Sequence, residues 1–243
     1  MNSGLYAACA GLLARTQALE LAANNLANIN TTGYKAQVPA FRSLLATASD
    51  VGSNDAMTEA VNDFGVLGDS RTDDVQGSLE HTGSDLDFAI EGEGWFVVQA
   101  GNRRLYTRNG NFHVDSKGQL VTAEGNVVVG TGGPITILPG KLSVSSDGTI
   151  SVDGALAGQL RVVNFASGAL TPAGNTYFEA PAGSERAAGG RLVQGSLEGS
   201  NVNGVMAAVG LVALQRNADM LQQALTAFHS NFNRIAAQDL SRI

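Results

Sequence analysis

The apolar positions near the amino terminus follow a seven-residue repeat, which predicts an amphipathic helix with a coiled-coil-like seam. The leucines of the repeat, and the apolar residues three positions after them, are Leu5, Leu12, Leu19 and Leu26, with Ala8, Ala22 and Ile29. Arg15 interrupts this seam. The helix is expected to stop at the sequence NTTG, because its last residue, Gly33, can adopt the left-handed conformation of a C-terminal cap.

The carboxyl-terminal segment repeats the pattern more strictly, because all eight of its seam positions are apolar. One heptad position is occupied by Leu211, Ala218, Leu225 and Phe232, and the other by Leu214, Leu221, Phe228 and Ile235. The preceding sequence GSNVN offers Ser200, Asn201 or Asn203 as the N-cap of this second helix.

Between the two ends the apolar period changes from seven to two. Turn sequences such as RNGN, DSKGQ, AEGN and SSDGT separate short apolar segments such as WFVVQ, QLVT, NVVVG and QLRVVNF. Residues 36–77 show neither period, and we interpret them as a connector with short elements at most. The predicted fold class is α+β: an antiparallel β domain, residues 78–199, is inserted in a discontinuous, coiled-coil-like helical domain formed by residues 1–35 and 200–243.

Both predicted helices carry very few charges. Residues 1–34 contain only Arg15 and Glu20 as charged side chains, and residues 204–233 contain only Arg216 and Asp219. A solvated coiled coil normally has charged residues beside its seam, so this scarcity indicates that the flanks also meet protein. Self-assembly is favoured over a two-helix monomer.

Asparagine amides suit such contacts, since they form hydrogen bonds without the cost of burying a charge. Asn24, Asn25 and Asn28 are therefore expected to face other copies of the chain, although Asn28 and Asn30 are also placed where asparagine commonly caps a helix. The complete predicted assembly interface is Leu5, Leu12, Leu19, Asn24, Asn25, Leu26, Asn28, Leu211, Leu214, Leu221, Leu225, Phe228, Phe232 and Ile235.

The acidic sequence DLDFAIEGEGW is the strongest candidate for chemistry, since paired carboxylates can hydrolyse glycosides. Asp85, Asp87 and Glu91 alternate with apolar residues, which instead predicts a solvated strand face. The basic residues that follow, Arg103, Arg104 and Arg108, are expected to pair with these acids across a hairpin. A cell-wall hydrolase acting through Asp85, Asp87 or Glu91 is thus a minor alternative.

No cofactor or metal site is predicted. The histidines, at positions 81, 113 and 229, share no metal-ligand spacing with each other or with Cys9. The segment GEG at Gly92 lacks the remainder of a dinucleotide-binding loop, and no phosphate-binding loop follows a strand. The chain therefore offers no credible active site.

Charge and hydropathy limit the partners. A formal net charge of -7 disfavours nucleic acid and anionic lipid. The longest apolar run, residues 205–214, is about half of the roughly twenty residues that a membrane span needs, so no direct membrane insertion is expected. The amino terminus lacks a basic start and has Arg15 where a signal peptide would continue apolar, so export, if it occurs, is expected to use another route and no signal cleavage.

Four segments resemble the bacterial flagellar rod and hook family in the same order. They are ANNLANINTTGYKA, DLDFAIEGEGWFVVQ, YTRNGNFHVDSKGQLVTAEGNVVVG, and GSLEGSNVN followed by the heptad helix. The resemblance implies a non-enzymatic subunit of the basal-body rod in the periplasm, delivered by the flagellar export apparatus. Its implied partners are other copies and other rod and hook subunits, with the terminal helices forming an inner tube that transmits torque and the β domain outside.

Within that family, the segments GEGWFVVQ, YTRNGN, GPI and DGTIS are most similar to the proximal rod branch, with the distal rod branch as the close alternative. One segment departs from the family pattern: Asn217, Ala218 and Asp219 stand where relatives usually have an aromatic-acidic pair. A surface adhesin built on the β domain is a further alternative, and it would not require the helical ends.

Overall fold

The computed structural model describes residues 2–42, 66–174 and 176–240. The chain divides into two compact units. The first, called here the helical unit, comprises Met1–Leu26, Gln37–Arg71 and Asn203–Ile243. The second, called the β unit, comprises Ala27–Ala36 and Thr72–Val202.

Two helices lie in the described part of the helical unit, as the heptad patterns predict. They are α1, Asn2–Ala27, and α2, Gly204–Leu240. Two strands, β1 (Gln37–Arg42) and β2 (Val66–Thr72), form a two-stranded sheet within the segment interpreted as a connector. A coiled-coil pairing of the two helices stays a prediction.

The buried line of α1 is centred on alanine rather than on leucine. Ala14 and Ala18 are buried, whereas Leu12 and Leu19 of the predicted seam are half-buried. The most buried line of the described side chains is thus shifted from the predicted leucine positions to the alanines. Arg15 is exposed, and so does not interrupt the buried line.

The half-buried positions of α2 follow the predicted seam closely over the described side chains. Apart from Gly204 and Gly210, they are Ala207, Leu211, Leu214, Ala218 and Leu221, spaced by four and three residues in alternation. The helix begins at an asparagine cap: the Oδ1 atom of Asn203 accepts the backbone N–H of Met206 at 3.0 Å.

The β unit is almost entirely antiparallel, which confirms the period-two interpretation of the middle of the chain. Its largest sheet has ten strands in the described residues: β5 (Trp95–Ala100), β6 (Arg103–Thr107), β7 (Phe112–Val114), β8 (Leu120–Thr122), β9 (Val127–Gly130), β10 (Gly133–Pro134), β14 (Val162–Asn164), β15 (Thr171–Pro172), β16 (Tyr177–Glu179) and β17 (Arg186–Ala187).

Three smaller sheets complete the described strands. They are β11 (Leu142–Val144), β12 (Thr149–Val152) and β13 (Ala155–Gln159); β4 (Phe88–Glu91) with β18 (Arg191–Gln194); and β3 (Leu79–His81) with β19 (Ser196–Glu198). The last two sheets pair strands from the start of the β unit with strands from its end. The first and last strands of the β unit therefore lie beside each other, at the place where the chain enters and leaves the unit.

Strand β5 separates the two hydrophobic clusters of the β unit. Phe96 and Val98 pack in the larger cluster, and Trp95 and Val97 pack in the smaller one. Successive side chains of a strand point to opposite faces, so a strand that is apolar throughout can be buried on both. The sequence WFVV, residues 95–98, meets that requirement.

Candidate functional site

The predicted solvated face of the acidic segment is wrong for Asp87, which is buried, although Asp85 and Glu91 are exposed as predicted. Strand β4 is buried at its first three residues, and the Asp87 side chain just before it is also buried. The Asp87 carboxylate accepts hydrogen bonds from Thr82 Oγ1 at 2.6 Å and from Asn111 Nδ2 at 3.0 Å. Asp85 and Glu91 are exposed. Asp87 thus holds neighbouring loops together, which is a structural role.

The predicted pairing of three arginines with these acids is also wrong. The ion pairs are Arg103 with Glu179, Arg104 with Glu185, and Arg108 with Glu198. Glu91 pairs instead with Arg191, directly opposite in the register of β4 and β18. The strand that follows along the chain is not the strand that lies beside β4, so proximity in sequence misidentified the partners.

Three charged side chains from distant parts of the chain form a buried cluster in the β unit, called here the junction triad. Lys35 Nζ lies 2.7 Å from Glu198 Oε1, and Arg108 Nη1 lies 3.0 Å from Glu198 Oε2. The side chains of Lys35 and Glu198 are each 1% exposed, and that of Arg108 is 4% exposed. Both carboxylate oxygens of Glu198 are therefore committed to cations that water does not reach.

Backbone groups satisfy most of the remaining polar atoms of the triad. Lys35 Nζ donates to the carbonyl of Val75 at 2.7 Å, and Glu198 Oε1 also accepts the N–H of Gly77 at 3.0 Å. Arg108 Nη2 donates to the carbonyl of Gly92 at 2.9 Å. Carbonyl oxygens carry partial negative charge, so they offset part of the excess positive charge of two cations on one anion.

The protonation of Lys35 reflects this burial. Removal from water favours the neutral amine and lowers the pKa of Lys35 below its usual value, while the nearby Glu198 carboxylate opposes that shift. Arg108 has a second favourable contact besides its ion pair with Glu198. Its planar group lies 5.4 Å from the centre of the Trp95 ring, where a cation–π interaction adds stabilisation.

The loop that carries Lys35 reaches the triad through a glycine that no other residue can replace without strain. Gly33 has φ of 69°, and a Cβ atom at this position would lie 2.2 Å from the backbone nitrogen of Asn109. Beside it, Thr32 Oγ1 donates to Asn109 Oδ1 at 3.1 Å, and the Gly33 N–H donates to the carbonyl of Glu198 at 2.7 Å. Gly33 has the left-handed conformation that the sequence predicted, but α1 ends at Ala27, so this glycine permits the close approach and does not cap the helix.

Asn201 ties the segment that carries Lys35 to the segment before β3 and to the exit of the chain. Its Oδ1 accepts the N–H of Ala36 at 2.7 Å, and its Nδ2 donates to the carbonyls of Asp73 and Val75. Of the three N-cap candidates, Asn201 thus joins chain segments of the β unit, and Asn203 is the cap of α2.

The four segments that carry the family resemblance converge on the junction triad. Lys35 ends NTTGYK, Gly92 and Trp95 lie in EGEGWF, Arg108 lies in YTRNGN, and Glu198 lies in GSLEG. Sequence reasoning missed the cluster because its charges are up to 163 residues apart. The available signal was one lone charge in each of three motifs, with opposite signs at the two ends.

Two of the predicted interface asparagines have clear contacts within the chain. The Asn25 amide forms two hydrogen bonds with the backbone of Gln37, one donated at 2.8 Å and one accepted at 2.9 Å. Asn28 accepts the N–H and the hydroxyl of Thr31, which closes the end of α1. Asn24 is exposed. A contact of these residues with other copies stays a prediction.

The other predicted interface residues divide into two groups. Leu12, Leu19, Leu26, Leu211, Leu214 and Leu221 are half-buried. The side chains of Leu5, Leu225, Phe228, Phe232 and Ile235 lie outside the described part of the structure. The half-buried residues of α2 share one face of the helix, so they already have neighbours within the chain.

An exposed apolar face on the opposite side of α2, called here the outer face, was not predicted. Val205, Val209 and Val212 are 75%, 61% and 49% exposed, and Met206 and Met220 are also exposed. At about 100° per residue, the outer face is centred roughly 180° from the half-buried stripe. Its other members are Ala213 and Arg216, so a single charge lies within it. The helix is apolar on two opposite sides.

No group of three or more His, Cys, Asp or Glu side chains that could hold a metal ion occurs among the described residues. Neither helix, over the parts the structure describes, is long and apolar enough to cross a membrane.

Three family models match the chain, in the order of its segments. Residues 5–35 match the flagella basal body rod protein family, residues 89–152 match the D1 domain of the flagellar hook protein FlgE/F/G family, and residues 193–238 match the flagellar basal body rod FlgEFG protein C-terminal family. These ranges cover α1, the central strands of the β unit, and the exit of the chain into α2.

Individual relatives align over nearly the whole chain. Flagellar basal-body rod protein FlgG of Agrobacterium fabrum is 35% identical over 91% of this chain and 94% of its own length. Flagellar basal-body rod protein FlgF of Salmonella typhimurium is 31% identical over 96% of this chain and 97% of its own, and that of Caulobacter vibrioides is 31% identical over the full length of both. The chain therefore belongs to the flagellar basal-body rod protein family, whose members are structural proteins and not enzymes.

Proposed function

We propose that the chain is a structural subunit of the flagellar basal-body rod that self-assembles through its terminal helices into a helical tube and transmits torque. The observation that carries the proposal is the two-sided apolar character of α2. One side is half-buried, and the outer face, with Val205, Val209 and Val212, is exposed.

A surface helix of a solitary protein needs only one apolar stripe, because its other side faces water. A second stripe on the opposite side is stabilised only when another molecule covers it. An apolar patch of this kind, almost free of charge, marks a protein–protein contact. Since α2 occurs in every copy, repeated contacts of one such face with a different surface of the next copy generate a helical filament.

The proposed interface extends along both helices. It includes the outer face and the predicted residues Leu5, Leu12, Leu19, Asn24, Asn25, Leu26 and Asn28 of α1, together with Leu211, Leu214, Leu221, Leu225, Phe228, Phe232 and Ile235 of α2. The proposed partners are other copies and other rod and hook subunits. Delivery by the flagellar export apparatus to the periplasm, without signal cleavage, also belongs to the proposal.

The proximal rod is our proposed position, and the distal rod is the alternative. Segments of the β unit, including GEGWFVVQ and YTRNGN, support the proximal position. The full-length alignment with a FlgF protein agrees with that choice, whereas the 35% identity to a FlgG protein supports the alternative.

The test is a deletion strain complemented with the full chain or with a chain that lacks residues 204–240. We expect the full chain to restore motility and to appear in purified basal bodies, with electron microscopy locating it along the rod. The truncated chain should not be incorporated. Function without the helix would support the adhesin alternative and would contradict assembly through the terminal helices.

A second test uses the isolated protein. In a dilute monomer, hydrogen exchange should show protected amides in the strands of the β unit and poorly protected amides in the two terminal helices, because their outer surfaces have no partner. Strong protection of residues 5–30 in the monomer would contradict the proposal.

A further inference from the structure

The junction triad joins the two places where the chain crosses into and out of the β unit. Lys35 arrives with the entering segment, and Glu198 arrives with β19, near the exit. Arg108 belongs to the strand region between them and reaches the second oxygen of the same carboxylate. A single anion from the end of the unit therefore completes a site whose two cations come from its beginning and its middle.

Without Glu198, this site would hold two buried positive charges and no negative one. Unpaired buried charges are strongly destabilising, and removing one partner of a buried pair leaves the other uncompensated. Here the effect is doubled, because one carboxylate serves both Lys35 and Arg108. The Nε atom of Arg108 is already buried without a hydrogen-bond partner, so the guanidinium has little to replace the lost bond.

The backbone around the triad depends on the same exit segment. Residue 198 accepts the N–H of Gly33 through its carbonyl and the N–H of Gly77 through its carboxylate. The Gly199 N–H donates to the carbonyl of Ser78 at 2.8 Å. The entering loop and the segment before β3 thus have their buried donors satisfied by residues near position 198, which is late in the chain.

We propose that the junction triad is a closure device: the β unit becomes stable only when the exit segment brings the Glu198 carboxylate to Lys35 and Arg108. Pairing of β3 with β19 and of β4 with β18 then forms together with the triad. A partly emerged chain that lacks β19 has no stable β unit. For an exported subunit, closure would mean that the β unit folds only after nearly the whole chain has emerged, and this consequence rests on the proposed function. The closure of the β unit by the triad does not depend on that function.

The test uses the purified full chain, so it does not depend on flagellar assembly. Glu198→Gln keeps the size of the side chain and removes its charge. The matched control is Glu179→Gln, which removes a carboxylate from an exposed ion pair with Arg103. Hydrogen exchange followed residue by residue reports the opening of the unit, and the single tryptophan, Trp95, buried beside Arg108, gives an independent fluorescence signal.

We expect Glu198→Gln to raise the opening equilibrium constant by about 100-fold or more, as in other broken buried pairs. The increase should reach amides of β5, such as Val97 and Val98, as well as Gly33 and Gly77. The control variant, Glu179→Gln, should change the opening equilibrium constant by less than about fivefold. Loss of protection confined to Gly33 and Gly77, with β5 protected as in the unaltered chain, would overturn closure, since the triad would then be only a local clamp.

A double variant keeps the test decisive if Glu198→Gln fails to fold. Adding Lys35→Met removes one of the two orphaned cations, so Lys35→Met/Glu198→Gln should recover at least about tenfold of the lost protection, or regain the folded Trp95 fluorescence. A double variant no more stable than Glu198→Gln alone would show that charge compensation is not the cause, and would refute the proposal.

Discussion

A lysine in the middle of the outer face of α2 should weaken assembly without unfolding the subunit. Val209 is 61% exposed, so Val209→Lys leaves the half-buried side of the helix intact. Lysine has good helix propensity, so α2 itself should persist. The substitution therefore separates a contact between copies from a contact within the chain.

The magnitude follows from the exposed surface. Val205, Val209 and Val212 together leave exposed about as much side chain as two whole valines. Full burial of a valine is worth at least about 1.5 kcal/mol, so covering the three stabilises each contact between copies by about 3 kcal/mol. Val209 supplies about a third of this contact energy. The lysine side chain would also lose hydration at the interface, which raises the total loss of contact energy to about 2 kcal/mol. Because 1.4 kcal/mol is tenfold, affinity should fall roughly 30-fold per contact.

The assay compares Val209→Lys with Gln215→Lys, which introduces the same charge at an exposed polar position of the same helix, outside the outer face. Each variant complements a deletion strain, and motility and the subunit content of purified basal bodies are measured. Thermal unfolding of the purified chains should be equal within about 2 °C. Normal incorporation of Val209→Lys, or equal loss in both variants, would refute the assignment of the outer face to assembly.

Three further predictions concern the β unit. Gly33→Ala should lower the free energy of unfolding of the β unit by more than about 2 kcal/mol, because a left-handed residue other than glycine costs about 1–2 kcal/mol and the added carbon also overlaps the backbone of Asn109. The control is Gly83→Ala, at φ of 74° with open space around it, which should lower the same free energy by about 1 kcal/mol. Denaturant unfolding of both variants measures the difference. Burial and then a hydrogen bond to Glu185 raise the pKa of Tyr106 to about 12, above its usual value of 10.0. Its contribution to stability is therefore present below pH 10 and is lost as the pH rises through about 12, and Tyr106→Phe should reduce that alkaline slope. Asp87→Ala should lower the free energy of unfolding by about 1–3 kcal/mol, because two donors lose their acceptor, and a peptidoglycan hydrolysis assay should give the same null result before and after the change.

Elements with a sustained period could be predicted from sequence because the period reports local geometry. The seam of α2 places apolar residues at helical spacing, and the continuous apolar run WFVV suits a short strand that is buried on both faces. The helix cap was narrowed to three residues, and only Asn203 has its side chain aimed at the N–H of Met206. The local sequence pattern thus identified the helices and strands, and the three-dimensional contacts showed which of the N-cap candidates caps α2.

Pairing between distant segments could not be predicted in the same way. Glu91 lies beside Arg191 because β4 pairs with β18, a hundred residues away, and not with the nearer strand that holds Arg103. Alternation around Asp87 predicted a wet face, but the side chain is covered by the loops of Thr82 and Asn111. The sequence shows which residues are charged, but the pairing of strands determines which charged residues lie next to each other.

The β unit contains a buried cluster of charged side chains, whereas the outer face of α2 is nearly uncharged. This difference is relevant to how a rod assembled from such subunits would resist mechanical load. Inside the β unit, Lys35, Arg108 and Glu198 meet in one arrangement with fixed partners, and buried ions of this kind penalise any displaced arrangement because each misplaced charge loses its partner. The outer face of α2 is mostly apolar, and apolar contacts with another copy would be non-directional, so they would tolerate small shifts while keeping most of their burial. If copies of the chain form the proposed torque-transmitting tube, that tube needs both properties: domains that keep their shape, and contacts between copies that yield slightly without breaking. The junction triad supplies the first property within each subunit. If assembly uses the outer face as proposed, the second follows from the scarcity of ions there, where Arg216 is the single charge, since an ion-paired interface would have to break a specific bond for every small displacement.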